Sequence, residues 1–245
     1  ESRLRELAYL NPGLVIRLKD ERGEHDHRSD KKADTRQTAR PKALDPDTGT
    51  DTLLEVEDTI DERPPYDERF DFPGGLAEYV AFLNAEQDVL HKPIFFKGEH
   101  QGVEVEVALQ YNDGYGELVT SYCNCIRTGE GGAHETGFKS VHTRLMNEYA
   151  RTKSLWKKKD NLTGNDLREG LMAIVHVRMQ DVEFEGQTKT KLGNPEARSA
   201  VEEVMSRHLW AWLDEHPADA KSIIEKAATA LEAREAAQKA KKAVQ

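Results

Sequence analysis

The stretch GQTKTKLG, residues 186–193, sets a glutamine and two lysines between two glycines, with Leu192 as its one apolar side chain. A lysine ammonium is a compact charge on a flexible stem, suited to a terminal phosphate group. The Gln187 amide can donate to the same oxygen or hold a water. On an extended backbone Gln187, Lys189 and Lys191 share one side, and Thr188 and Thr190 the other. A solvated loop would carry the same residues. Composition here leaves a phosphate contact and a wet loop both open.

A second stretch, GGAHETGFKS, comes close to a phosphate-binding loop, which needs Gly, four residues, then Gly-Lys-Ser. Gly132 and Gly137 have that spacing, but Phe138 intervenes before Lys139 and Ser140. The extra residue turns Lys139 away from such a cradle, and Phe138 fits an apolar helical stripe. The stretch therefore reads as a loop-to-helix junction, with Glu135 or Thr136 in the first turn. His134-Glu135 lacks the second histidine of a zinc-protease helix, and the nine histidines form no metal-ligating constellation. Cys123 and Cys125 fall on one face of a strand, with no second pair to complete a zinc site. They read as two small buried thiols in a reducing compartment.

The elements that must position these residues are legible in the patterning. Of 245 residues, 37% are hydrophobic and 33% charged, which implies a packed domain plus a polar segment that does not pack. Residues 44–68 carry ten acids against Arg63 alone, so −9 of the net −10 falls there. Overall acidity thus describes that segment and says little about partners of the folded part. Residues 20 to 70 lose all periodicity, and 23–69 read as an acidic, mobile insertion. No apolar run reaches the ~20 residues that span a bilayer. No signal peptide is present, which points to a cytoplasmic protein without a membrane partner. The chain opens inside a helical pattern, ESRLRELAYL, without a methionine, as a fragment of something longer would.

Leu14, Ile16 and Leu18 alternate as in a strand. Val103, Val105, Val107, Leu109 and Tyr111 do so strictly, with Glu104 and Glu106 on the opposite, wet side. ELVTSYCNCIR follows a short NDGYG turn and is expected to run antiparallel to that strand. LMAIVHVRM reads as a covered strand. Helices are expected over FPGGLAEYVAFLN and along the stripe Phe138, Val141, Leu145, Met146, Tyr149. Another should follow Asn194 as cap and Pro195 in the first turn, and a last one should be alanine-rich. The predicted class is α+β: a two-layer sheet with helices on one face.

Specific signposts carry a resemblance. They are FPGGLAEYVAFLN, GVEVEVALQYNDGY, RTGEGGAHETGFKSVHTRLMNEYA, NLTGNDLREGLMAIVHVRM, FEGQTKTKLGNPEARSAVEEVM and DAKSIIEKAATALEAREAAQKAKK. Through them the chain resembles the DNA gyrase B family, the ATPase subunits of bacterial type II topoisomerases, over nearly its whole length outside the insertion. The ATPase subunit of topoisomerase IV is similar enough here to stand as an alternative, and a non-catalytic acidic interaction module is another.

The resemblance implies a domain plan. Residues 1–22 would end a Bergerat-fold ATPase domain, and 23–69 would be an insertion of variable size. Residues 70–220 would form a transducer domain with a left-handed βαβ unit of the ribosomal-protein domain-2 type. Residues 221–245 would be a helix leading to a cleavage domain. Gln187 and Lys189 would reach the γ-phosphate of ATP held in the preceding domain. The residues that hold adenine and Mg²⁺, and the glutamate that activates water, would lie upstream of Glu1. This stretch alone is therefore expected to be inactive. ATP and Mg²⁺ would serve the full-length protein. Its partners would be gyrase A, a second copy of gyrase B, and double-stranded DNA. Lys139, Arg144, Lys157, Lys158 and Lys159 would be DNA-facing; a solvated face explains them equally well.

Overall fold

The structure, a computed structural model, describes residues 1–20 and 66–243. They fall into two units. In the smaller, β1 (Ile16–Asp20) pairs antiparallel with β2 (Tyr66–Phe70), Ile16 opposite Phe70. The sequence reading left residues 66–70 without structure. Their alternation is masked by charge, since only Tyr66 and Phe70 are apolar. The pairing rests on the backbone ladder and on cross-strand charges such as Arg17 with Asp67. The rest of the expected insertion, residues 23–65, lies outside the described residues.

The larger unit holds β3 (Ile94–His100), β4 (Val103–Tyr111), β5 (Leu118–Cys123), β6 (Ile126–Arg127) and β7 (Leu171–Arg178). They form one mixed sheet in the order β3-β4-β7-β5-β6, with β5 and β7 parallel and every other pair antiparallel. The expectation that β5 would follow β4 as its neighbour is corrected. β5 does run opposite to β4, but β7 lies between them. The connecting residues are tied to the start of β7 instead: Asn112 N donates to Gly170 O at 2.9 Å, and Gly170 N to Gly116 O at 3.0 Å. A strand with neighbours on both sides and cover on both faces reads as a near-continuous apolar run, which is why LMAIVHV shows little alternation.

Helices cover both faces, which corrects the two-layer expectation. One face is packed by α1 (Ser2–Leu10) and α2 (Gly75–Leu83). Ala108, Tyr122 and Ile174 point to that side and are fully buried against Tyr9, Leu76, Tyr79 and Val80. Tyr9 stacks on Tyr79 at 4.6 Å and on Phe72 at 3.8 Å. The opposite face carries α3 (Ala133–Thr152), the single turn α4 (Gly164–Leu167), α5 (Pro195–Glu215) and α6 (Pro217–Ala243). Val105, Val107, Leu109, Val175 and Val177 meet Phe138, Val141, Val201, Val204 and Met205 there. Each fully buried Val, Leu or Phe contributes roughly 1.5–3 kcal/mol, so α3 and α5 are held to the sheet along their length. β5, α3 and β7 form a βαβ crossover. α4 is capped by the reciprocal Thr163–Asp166 pair, and Asp166 also takes both guanidinium bonds of Arg234 at 2.9 Å. Beyond that clamp α6 is exposed through Lys242.

The wet side expected for β4 is wet only at Glu104. Glu106 is 6% exposed, with Arg178 at 2.9 Å, Lys97 at 3.1 Å and His176 Nδ1 at 3.4 Å. Burial alone would raise its carboxyl. The imidazole of His176 3.4 Å away and the cations of Lys97 and Arg178 outweigh that and hold it at about 2. The folded value lies below the ordinary 4.5, so the stabilisation is present in full above that pH and is lost as pH falls toward 2. We expect a loss of roughly 3 kcal/mol across this window. Urea midpoints at pH 6 and pH 3 should differ by more in the wild type than in Glu106→Gln. Equal differences would contradict the assignment.

Candidate functional site

The lysine stretch folds as a small hairpin. β8 (Phe184–Glu185) pairs antiparallel with β9 (Lys191–Leu192), and the connection turns at Gly186, φ +80°, and Lys189, φ +55°. The backbone is therefore not extended through the tip, and the simple alternation of Gln187, Lys189 and Lys191 does not hold. A lysine at positive φ is strained, and such strain persists only where the surroundings fix it.

The two lysines part company. Lys191 Nζ is bound to Glu185 at 2.8 Å, which raises its pKa and commits its charge. Lys189 pairs with no carboxylate among the described residues, and its ammonium stands 6.0 Å from the Phe184 ring centroid. Lys189 and Gln187 are both exposed. The arrangement leaves one cation and one amide at the tip to take an anion.

The base of the hairpin is fixed, and Asn194 fixes it. Asn194 stands at the N-cap position of α5 as expected, but its side chain makes no cap bond. Instead its Oδ1 accepts from Glu183 N at 2.7 Å, and its Nδ2 donates to Asp181 O at 3.0 Å. Gly193 N donates to Glu183 O at 2.8 Å. The chain entering the hairpin is thus stapled to the chain that leaves it for α5. Asn194 is 5% exposed, and Asn194→Ala removes both of its side-chain hydrogen bonds, leaving Glu183 N without its acceptor. We expect it to cost about 1–3 kcal/mol, read as a lower urea midpoint; an unchanged midpoint would rule the staple out.

A second support is the glycine loop before α3. Glu130 N donates to Thr190 O at 2.9 Å and Leu192 N to Gly131 O at 3.1 Å, with a parallel bridge between Gly132 and Leu192. Gly132 has φ +135°, and a Cβ there would lie 2.4 Å from Leu192 O. The loop that almost spells a phosphate cradle is a platform for the lysine hairpin. Sequence reasoning missed that Gly132 supports the hairpin and that the Asn194 side chain staples its base. The paired glycines at 131–132 were the available signal, and their partner was not.

The sequence-derived DNA-facing residues differ in how far their charges are already matched. Lys139 Nζ lies 2.9 Å from Glu135 and 3.5 Å from Glu117, so its charge is matched. Arg144 binds Ser206 at 3.0 Å and faces Glu148 at 3.6 Å. Lys158 contacts Glu232 at 3.5 Å and lies over the Trp156 ring. Lys157 and Lys159 are exposed. Arg144 and Arg151 line an open groove of about 520 Å³ along α3, with Asn147 and Asn161. Arg151, absent from the sequence-derived set, is held there by Asn161 Oδ1 at 2.7 Å.

A mixed sheet clad by helices, with a lysine hairpin stapled at its end, defines an α/β domain similar to solved gyrase B ATPase structures. The 43K ATPase domain of Thermus thermophilus gyrase B, solved with an aminocoumarin, superposes with a TM-score of 0.74 and 35% identity over 98% of this chain and 54% of that one. The family model described as DNA gyrase B matches residues 75–243. The DNA gyrase B protein of Halalkalibacterium halodurans is 43% identical over 98% of this chain and 32% of its own length. That of Mycobacterium leprae is 42% identical over 99% of this chain and 35% of its own. The chain belongs to the DNA gyrase B family, and spans about a third of the length of these curated relatives.

Proposed function

We propose that this chain is the transducer part of a gyrase B protein. It couples ATP binding and hydrolysis in an adjoining domain to DNA strand passage and negative supercoiling. The observation that carries the reading is Lys189: an exposed cation without a carboxylate partner among the described residues, on a strained turn stapled at its base. Those features fit a terminal phosphoryl group, which Lys189 would hold with Gln187. The nucleotide with Mg²⁺ supplies the free energy of phosphoryl transfer. This chain's residues bind and orient its last phosphate.

On this reading residues 1–22 close the nucleotide-binding domain, 23–69 are an insertion, 70–220 are the transducer and 221–245 lead toward the cleavage domain. The β5-α3-β7 crossover is the left-handed βαβ unit of that fold. Tested alone, residues 1–245 turn over no ATP. The full-length protein, in the cytoplasm, pairs with gyrase A and with a second copy of itself around double-stranded DNA. Arg144, Arg151, Lys157 and Lys159 are the cations best placed for phosphate contacts, which position DNA without reading its sequence. Lys139 is the weakest of the set, because its charge is already matched.

A hairpin held at both ends by α5 and the glycine loop moves with the sheet and not independently of it. A contact with a few kcal/mol of preference for one nucleotide state can then bias a rigid-body rotation of the whole domain. The test is amine labelling of Lys189 in a longer protein that includes the upstream domain. A non-hydrolysable ATP analogue should slow labelling severalfold, and ADP should not. Equal labelling in both states removes the phosphate contact from the mechanism.

A further inference from the structure

A second constellation lies apart from the lysine hairpin, where the turn between β5 and β6 meets the end of β7. Cys125 does not stand alone there. His176 of β7, 1% exposed, aims Nε2 at it, 3.4 Å from the Cys125 backbone N and 4.0 Å from Sγ. A ring nitrogen that receives a backbone N–H carries its lone pair on that side, so the His176 proton sits on Nδ1. Nδ1 faces Glu106 Oε2 at 3.4 Å. Glu106 in turn is fixed by Arg178 and Lys97. A thiol, an imidazole with its basic nitrogen toward the sulfur, and a carboxylate facing the other nitrogen, which is buried and makes no hydrogen bond, follow the order that activates a cysteine nucleophile.

The local backbone fixes the position of the cysteine. Asn124 and Cys125 form a two-residue turn with φ +46° and +62°, the form that suits the twist of a hairpin but that cysteine seldom adopts. Asn124 locks the turn to β7 through Met179 N at 3.0 Å and Met179 O at 2.8 Å. Cys125 is half-buried, whereas Cys123, two residues away, is fully buried. Their environments diverge accordingly. The hydrogen bond to His176 leads the effects that lower the Cys125 thiol below its ordinary value, with Asn11 and Arg178 adding to it and partial burial opposing. Burial pushes Cys123 up to about 11.

We infer that Cys125 is a thiol-modification site, with His176 as its base and Glu106 as the residue that positions that base, taking small disulfides of the glutathione type. The Cys125 backbone N–H releases Nε2, and the thiol proton passes to the lone pair so freed. The thiolate attacks one sulfur of the disulfide, a new S–S bond forms as the old one breaks, and the leaving thiolate takes the proton back. Cys125 is oxidised and the small disulfide is reduced to one thiol. The added group displaces Asn11, whose Nδ2 donates both to Cys125 Sγ at 3.4 Å and to Leu7 O at 2.9 Å. Modification therefore undoes the end of α1, which Tyr9 packs against α2.

The test is the rate of mixed-disulfide formation with oxidised glutathione, followed by peptide mass at both cysteines from pH 5 to 9.5. The charged groups around the sulfur are Arg178 of β7, Arg3 and Glu6 of α1 and Arg127 beside them, with Glu106 and Lys97 beyond His176. Cys125 should react at least about tenfold faster than Cys123 at pH 7, with a midpoint below the ~8.5 of a free thiol. His176→Gln should raise that midpoint and slow the reaction at pH 7, and Glu106→Gln should do so to a smaller degree. A wild-type midpoint at or above ~8.5, adducts on Cys123, or an unchanged profile in folded His176→Gln overturns the proposal. If His176→Gln does not fold, the wild-type midpoint decides.

Discussion

Replacing Lys189 with alanine in a longer protein that includes the upstream domain is expected to lower ATP turnover about ten- to a hundredfold and leave the melting temperature unchanged. The two halves of that expectation rest on different observations. Stability should hold because the side chain is exposed and makes only a loose approach to Phe184. Turnover should fall because hydrogen bonds to charged groups contribute roughly 1.5–3 kcal/mol, and each ~1.4 kcal/mol is tenfold. Lys191→Ala is the internal control. That lysine is the same kind of charge two residues away but is bound to Glu185, and its loss should change turnover little. Equal rates for wild type and Lys189→Ala would favour an interaction module that ignores nucleotide. Equal losses for the two lysines would favour a general effect of loop charge.

The choice between those two lysines was not legible in the sequence. An extended reading puts both on one side, and composition cannot say which finds a carboxylate. The left-handed turn at Lys189 and the Glu185 partner of Lys191 are both consequences of the hairpin closing. The helices, by contrast, were legible. The stripe on α3 and Pro195 at the start of α5 are local patterns that tertiary structure had no reason to override. Sheet order was not, because β7 enters between β4 and β5 from about 60 residues further along, and nothing local to the NDGYG turn announces it. The same gap hid the second helical layer. Ala108, Tyr122 and Ile174 face α2 only once the strands carrying them are neighbours. Glu106 looked like a solvated position for the same reason, since its cations come from two other strands. Family resemblance supplied roles for Gln187 and Lys189. It said nothing of what holds them in place.

That support gives the other large effect. Gly132→Ala should lower the melting temperature by several degrees and also reduce nucleotide-dependent turnover in the longer protein, although Gly132 approaches no ligand group. Gly132 has φ +135°, where a residue with a Cβ is strained by about 1–3 kcal/mol. The added carbon would also lie 2.4 Å from Leu192 O and 2.5 Å from Leu192 N, both backbone atoms that cannot swing aside. Either the glycine loop or β9 must shift. With about 2–4 °C lost per kcal/mol in a chain of this size, a drop of at least ~4 °C is expected. The shift should carry further, because Leu192 lies in β9, directly after the tip that holds Lys189. Gly129→Ala is the matched control: its Cβ would meet nothing within 4 Å. If Gly132→Ala loses stability but keeps full turnover at temperatures where it is folded, the glycine loop is only a scaffold. If it loses both, and Gly129→Ala loses neither, the platform under the hairpin is part of how the cation is delivered.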